Sequence, residues 1–211
     1  MPQTNREIAA HLLSTYRTFS SKQIPELTDR STKLIQLELH KLAGEGKCWK
    51  TGRGRLNVYC DRENKHWEHD LLRTDFLIAN QDSITRIVLD GIRSPEVNPD
   101  GYIEAGDSFF LEIERSNPAT RGGESTLLTK ALDYDRYAMR HGHKQLCENF
   151  RVIYVMRTEA KARNLADKIR QSVPNPERFW LTWEGNTMFV SVGGTSYALP
   201  MVSPRTDRNT A

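Results

Sequence analysis

Residues 99–114 read PDGYIEAGDSFFLEIE, and the predicted fold is centred on them. A turn near Gly106 separates two short runs of alternating residues, which is typical of a β-hairpin. Glu112 and Glu114 are two positions apart in the second run, so a strand places both on one face. Asp100 begins the first run, and the hairpin brings it beside the glutamates. The sequence therefore predicts three carboxylates in one place.

Three carboxylates at close range repel one another. At about 4 Å and an effective dielectric constant of about 20, each pair costs on the order of 4 kcal/mol. Protons or a divalent cation must offset this cost, and a set of oxygen ligands with few nitrogens favours Mg²⁺ or Mn²⁺ over Zn²⁺. The alternative is an ordinary half-exposed strand, whose solvated glutamates are balanced by Arg115.

The patterns around this hairpin predict a mixed α/β (α+β) domain. Tyr134 follows Lys130 by four positions, so both lie on one face of a predicted helix. A cation and a phenol near a metal site can hold a phosphate. The predicted elements are a helix at 66–79, strands at 84–89, 100–104 and 109–114, a helix at 124–140, a strand at 150–156, a helix at 159–171, and strands at 178–183 and 187–192.

This order and its acidic motif resemble the PD-(D/E)xK nuclease superfamily. Pro99-Asp100 is followed, after eleven intervening residues, by Glu112-Ile113-Glu114 in an αβββαβ mixed-sheet order. The resemblance implies that Asp100, Glu112 and the Ile113 backbone carbonyl bind Mg²⁺ or Mn²⁺. Glu114 stands where the superfamily normally has lysine, and it would position or deprotonate the attacking water.

Further site residues follow from the same resemblance. Lys130-x-x-x-Tyr134 is similar to the Gln-x-x-x-Tyr helix of the exonuclease-like branch, with Lys in place of Gln. Lys130 would contact the scissile phosphate, with Tyr134 as an accessory residue. Superfamily members often add a carboxylate from the first helix, for which Glu68 and Asp70 are both candidates.

The N-terminal part of the chain has a different character. Residues 1–65 hold 12 basic and 7 acidic side chains, whereas residues 66–211 hold 18 and 20. Helical patterns near 5–13, 22–27 and after Ser31 precede a hairpin at 47–60 with a glycine-rich tip, which resembles a winged helix-turn-helix. The implied DNA contacts are Arg30, Ser31, Thr32, Lys33 and Gln36 on the third helix, and Arg53 and Arg55 on the wing. A protein-binding winged helix or a dimerisation module is the alternative.

We therefore expect a winged-helix DNA-binding domain at 1–60, a polar linker at 61–65, a nuclease-like domain at 66–202 and a polar tail at 203–211. The chain has no apolar run that predicts a membrane span or a signal peptide. Its cysteines, Cys48, Cys60 and Cys147, are odd in number and form no CxxC pair. The number and spacing of the cysteines predict a cytoplasmic protein without a disulfide framework.

The whole layout also resembles the replication-relaxation family of plasmid and mobile-element proteins. Two functions follow from these resemblances. One is a metal-dependent DNA endonuclease or nickase of a plasmid, phage or mobile element, with a homodimer where both strands are cut. The other is a non-catalytic DNA-binding regulator of replication or transfer that retains a degenerate nuclease fold.

Overall fold

The computed structural model describes residues 3–89, 97–114, 123–141, 151–184, 186, 188–192 and 196–198. Within these residues the chain is a mixed α/β protein with six α-helices and two β-sheets. Its contacts divide it into two compact units, Met1–Ile78 and Ala79–Ala211. The predicted tail at 203–211 lies outside the described residues, as does Arg115.

The first unit carries the predicted three helices and hairpin. Its elements are α1 (Asn5–Tyr16), β1 (Thr18–Ser20), α2 (Ile24–Leu27), α3 (Thr32–Gly44), β2 (Trp49–Thr51), β3 (Val58–Cys60) and α4 (Trp67–Ala79). The three strands form an antiparallel sheet in the order β1-β3-β2. A core built from α1, α2, α3 and the sheet includes Leu12, Phe19, Ile24, Leu39 and Tyr59.

Local sequence explains where the first helix begins. The Thr4 hydroxyl accepts a hydrogen bond from the Glu7 backbone N–H at 3.2 Å, and the Glu7 carboxylate accepts one from the Thr4 N–H at 2.7 Å. This reciprocal capping satisfies two N–H groups that the helix leaves unpaired. The apolar residues Ile8, Leu12 and Leu13 then face the core.

The tip of the β2–β3 hairpin depends on glycine. Gly52 has a φ of 137°, and a Cβ atom built there would lie 1.9 Å from the Leu56 carbonyl oxygen. Gly54 has a φ of 62°, which lies in the left-handed region. Only glycine adopts both conformations without strain. Arg53 and Arg55 lie on either side of Gly54 in this tip.

Helix α4 belongs to the first unit except for its last residue, whereas sequence analysis placed the boundary at 61–65 and assigned this helix to the second domain. Side-chain contacts explain the difference. The Thr74 hydroxyl donates to the Thr18 carbonyl, and the Gln23 amide donates to the Asp75 carboxylate. Contacts between residues so far apart in the chain cannot be predicted from the local charge pattern that suggested a linker at 61–65.

The second unit contains one seven-stranded sheet and two helices among its described residues. Its elements are β4 (Arg86–Val88), β5 (Gly101–Ala105), β6 (Asp107–Glu114), α5 (Gly123–His141), β7 (Arg151–Met156), α6 (Glu159–Ser172), a 3₁₀ turn (Pro176–Arg178), β8 (Phe179–Trp183), β9 (Met188–Ser191) and β10 (Ser196–Ala198). The strand order is β10-β9-β8-β7-β6-β5-β4. Strands β6, β7 and β8 are parallel, and the other neighbours are antiparallel.

The predicted helices and strands of this unit are present, with ends shifted by a few residues, and β10 adds a strand that sequence analysis did not predict. One face of the sheet presents alternate residues of the parallel strands to α5 and α6. The core on that face includes Phe110, Tyr134, Tyr154, Leu165 and Leu181. No helix in the described part of the chain has both the length and the apolar composition needed to span a bilayer.

Candidate functional site

The β5–β6 hairpin places the Asp100 side chain against the backbone of β6. Its register aligns Gly101 with Leu111, and the Asp100 N–H donates to the Leu111 carbonyl at 2.9 Å. The Asp100 Oδ2 atom accepts a hydrogen bond from the Ile113 N–H at 2.8 Å. The Asp100 carboxylate therefore continues the hydrogen bonding between the two strands beyond the start of β5. Its partner, Ile113, lies between Glu112 and Glu114 on β6.

Glu112 is the buried centre of the site. Its side chain is only 2% exposed, because it lies on the face of β6 that α5 covers. Its Oε2 atom accepts a hydrogen bond from Lys130 Nζ at 2.6 Å, and its Oε1 atom accepts one from the Tyr134 hydroxyl at 2.6 Å. The four-residue spacing on α5 thus aims a cation and a phenol at the two oxygens of one carboxylate.

Lys130 connects this buried carboxylate to solvent, since 42% of its side chain is exposed. Burial tends to lower the pKa of Lys130, but the charge of Glu112, with further contributions from Asp100 and Glu114, raises it above its ordinary value. Lys130 is therefore an ammonium ion at neutral pH.

The pKa of Glu112 is raised, mainly by burial, and the charge of Lys130 opposes the shift while that of Asp100 adds to it. Burial and the charge of Glu112 raise the pKa of Tyr134, so this residue stays a neutral phenol that donates to Glu112. Tyr154 lies beside Glu112 in the β6–β7 register, and burial raises the pKa of its hydroxyl as well. Glu112, Tyr134 and Tyr154 are thus buried, whereas Asp100, Glu114 and Lys130 are partly exposed at the edge of the site.

Tyr154 was not among the site residues predicted from the sequence. The alternating pattern of β7 carries the signal, because Val152, Tyr154 and Met156 share the face that Glu112 occupies. The register between β6 and β7, which a single sequence does not reveal, decides which of them lies beside the glutamate.

Oxygen atoms dominate this site, and they suit a hard divalent cation. In a strand the N–H and C=O of one residue point to the same side, so the Ile113 carbonyl shares the side on which Asp100 binds the Ile113 N–H. Asp100 and Glu112 would supply two carboxylates to such an ion. Among the described residues, however, no group of three or more His, Cys, Asp or Glu side chains is arranged to hold a metal.

The accessory candidates Glu68 and Asp70 lie on α4 in the first unit and have partners there. Glu68 forms an ion pair with Arg53 at 3.0 Å. Asp70 accepts a hydrogen bond from the Asn64 amide at 2.6 Å and pairs with Arg73 at 3.2 Å. Both carboxylates thus have structural contacts within the unit that contains them.

The predicted DNA contacts occupy two places in the first unit. Ser31 precedes α3 as its N-cap, and Thr32, Lys33 and Gln36 follow in its first turns. Arg30 is exposed and donates to the Gln3 carbonyl at 3.4 Å. At the hairpin tip Arg55 is exposed. Arg53 has 80% of its side chain exposed but also contacts Glu68 and lies 5.9 Å from the centre of the Trp67 ring.

Neither a family model, nor a curated protein, nor a solved structure matches this chain.

The phenol of Tyr134 gives a direct test of the buried cluster. Tyr134→Phe removes a 2.6 Å hydrogen bond to a buried carboxylate, and a bond to a charged group contributes about 2 kcal/mol. We expect urea unfolding to report a loss of stability of about this size. Tyr154→Phe is the matched control, because the Tyr154 hydroxyl donates to the neutral Leu127 carbonyl at 3.4 Å and should cost about 1 kcal/mol or less. Equal losses for the two variants would contradict the geometry at Glu112.

Proposed function

We propose that this protein binds DNA through its first unit and hydrolyses a phosphodiester bond at the Asp100–Glu112–Lys130 cluster of its second unit. The observation that carries the proposal is the buried Glu112 carboxylate, held between a lysine and a tyrosine at the carboxyl end of a parallel strand. In open sheets with parallel strands, ligands bind beyond the carboxyl ends of those strands.

Each residue of the cluster has a role that fits this chemistry. Asp100, Glu112 and the Ile113 carbonyl would hold Mg²⁺ or Mn²⁺, which lowers the pKa of bound water and neutralises negative charge on the phosphate. Glu114, next to Ile113 on the same strand, accepts a proton from the attacking water. Lys130 carries three N–H donors, so it binds Glu112 with one and leaves others for a phosphate oxygen. Tyr134 fixes the orientation of Glu112.

The first unit supports DNA binding as a winged helix-turn-helix. The order of its helices and its three-stranded antiparallel sheet agree with that motif. Lys33 on α3 and Arg55 at the hairpin tip are exposed and outside every ion pair among the described residues. Cations in such positions are suited to phosphate contacts.

A second function, that of a DNA-binding regulator without catalysis, is favoured by a specific observation. Lys130 already neutralises Glu112 at 2.6 Å, and Glu114 replaces the lysine that active nucleases usually carry. The buried pair would then stabilise the domain. Such a regulator would bind DNA as the nuclease does.

Supercoiled plasmid separates the two functions. We expect the protein with Mg²⁺ or Mn²⁺ to convert plasmid to the nicked or linear form, and chelation of the metal to stop the conversion. Nicked product alone would indicate action on one strand, whereas linear product would favour a homodimer with two sites. Plasmid that is bound but remains supercoiled with both metals would contradict the nuclease and favour the regulator.

Binding through phosphate contacts predicts a steep dependence on salt. Each phosphate contact contributes about −0.9 to the slope of log K against log [salt]. We therefore expect Lys33→Ala and Arg55→Ala each to weaken binding to a random duplex and to reduce the slope by about 1. Arg163→Ala is the control, because Arg163 lies on α6 of the second unit and pairs with Glu159 at 2.7 Å. Fluorescence anisotropy at several salt concentrations checks this, and slopes unchanged from wild type would argue against α3 and the hairpin tip as the DNA surface.

A further inference from the structure

Two leucines are exposed on the helix that carries the predicted DNA contacts. Leu34 and Leu37 have 47% and 51% of their surface accessible, whereas Ile35 and Leu39 on the same helix are fully buried. The apolar residues of α3 thus lie on two different faces of the helix. One packs into the core of the first unit, and the other presents Leu34 and Leu37 to solvent beside Lys33.

The unpaired charge around these leucines is positive, because the Glu38 carboxylate beside them pairs with Lys41 at 2.7 Å, and this favours a polyanion as their partner. Lys33 is exposed and forms no ion pair within the described residues, and Arg30 lies just before the N-cap residue Ser31. The first turn of α3 contains no acidic residue. A DNA backbone would meet positive charge and the positive end of the helix dipole here.

A second copy of the chain fits this face less well. In a two-fold interface the same patch meets itself, so Arg30 and Lys33 would approach their own copies. A stable interface also buries about 800 Å² on each partner, several times the area that two half-exposed leucine side chains present. The face is therefore suited to an anionic partner with small apolar groups.

DNA offers such groups in its major groove. The C5 methyl of thymine is the apolar feature of the base edges there, and it distinguishes A·T pairs by contact with apolar side chains. Residues three apart on a helix are separated by about 4.5 Å along its axis, which compares with a base step of about 3.4 Å. A helix lying in the groove would bring Leu34 and Leu37 to bases one or two steps apart.

We propose that Leu34 and Leu37 are specificity residues that contact thymine methyl groups, so that the preferred DNA site contains A·T pairs beneath α3. This inference rests on the proposed DNA binding and adds the class of sequence that is bound. Lys33 supplies affinity for the backbone, and the leucines supply discrimination among bases.

Deoxyuridine tests the inference because it lacks only the methyl group of thymine. Duplexes enriched from a random pool by the intact protein are resynthesised with thymine or with deoxyuridine. Burial of one methyl is worth about a fourfold change in affinity, so removing two should weaken wild-type binding about 15-fold. The variant L34A/L37A should bind the two duplexes equally. Met139→Ala is the control, since Met139 is 70% exposed on α5 of the second unit and should retain the wild-type difference.

The outcomes separate this inference from the proposed function. Wild-type binding that is equal for thymine and deoxyuridine overturns the inference alone, because DNA binding itself persists. Failure of the intact protein to bind any duplex at low salt overturns both. If L34A/L37A instead converts a dimer to a monomer in sedimentation and the thymine preference is absent, the leucines form an interface between copies and the inference is wrong.

Discussion

Replacing Glu112 by glutamine is expected to lower cleavage of supercoiled plasmid by at least about 100-fold. The change removes the negative charge that would bind a divalent cation, and loss of one group acting on the reaction costs about 10²–10⁴ in rate. Asp100→Asn should have an effect of the same order, because the Asp100 carboxylate binds the Ile113 N–H on β6, next to Glu112. Initial rates of nicking in Mg²⁺ and in Mn²⁺ provide the measurement.

Glu104→Gln is the matched control for both variants. Glu104 lies on β5 and its carboxylate pairs with exposed Arg86 at 3.0 Å, so it is an acidic residue of the same hairpin with a different partner. Its variant should cleave at the wild-type rate. Equal cleavage by wild type, Glu112→Gln and Asp100→Asn would mean that the reaction occurs elsewhere.

Removing the ammonium group of Lys130 is expected to destabilise the protein. Lys130→Met leaves the Glu112 carboxylate, 2% exposed, without its ammonium partner. Breaking a fully buried pair costs about 3–5 kcal/mol. Because 42% of the Lys130 side chain is exposed, water offsets part of this cost, and we expect a loss of about 2 kcal/mol in urea unfolding.

Arg136→Met provides the comparison on the same helix. Arg136 pairs with Asp133 at 3.1 Å, but both side chains are more than a third exposed, so the loss should be below about 0.5 kcal/mol. The double variant with Glu112→Gln and Lys130→Met should lose less than the sum of its single changes, since glutamine does not leave a buried charge. Lys130→Met as stable as Arg136→Met would show that Glu112 does not depend on this lysine.

Local periodicity was sufficient to predict the parts of the candidate site. The two-residue spacing of Glu112 and Glu114 predicts one face of a strand, and the four-residue spacing of Lys130 and Tyr134 predicts one face of a helix. Both patterns depend only on backbone geometry. That the lysine and tyrosine reach the two oxygens of Glu112 depends on how α5 packs across the sheet, which periodicity does not contain.

Long-range contacts account for most of what the sequence did not reveal. The assignment of α4 to the first unit follows from side chains such as Thr74 that bond to residues more than fifty positions away. Glu68 is a candidate ligand by sequence, yet Arg53 at the hairpin tip binds it. The exposure of Leu34 and Leu37 could not be predicted, because both fit the apolar spacing of α3. Spacing alone does not distinguish an exposed apolar face from the edge of a broad buried face.

Direct metal binding tests whether Asp100 and Glu112 bind a single hard divalent cation. Electron paramagnetic resonance of free Mn²⁺ can be followed as the intact protein is added, with Asp100→Asn and Glu104→Gln in parallel. We expect one saturable Mn²⁺ per chain in wild type and Glu104→Gln, displaced by Mg²⁺ and lost in Asp100→Asn. Wild type that leaves all Mn²⁺ free, or Asp100→Asn that binds Mn²⁺ as wild type does, would contradict it.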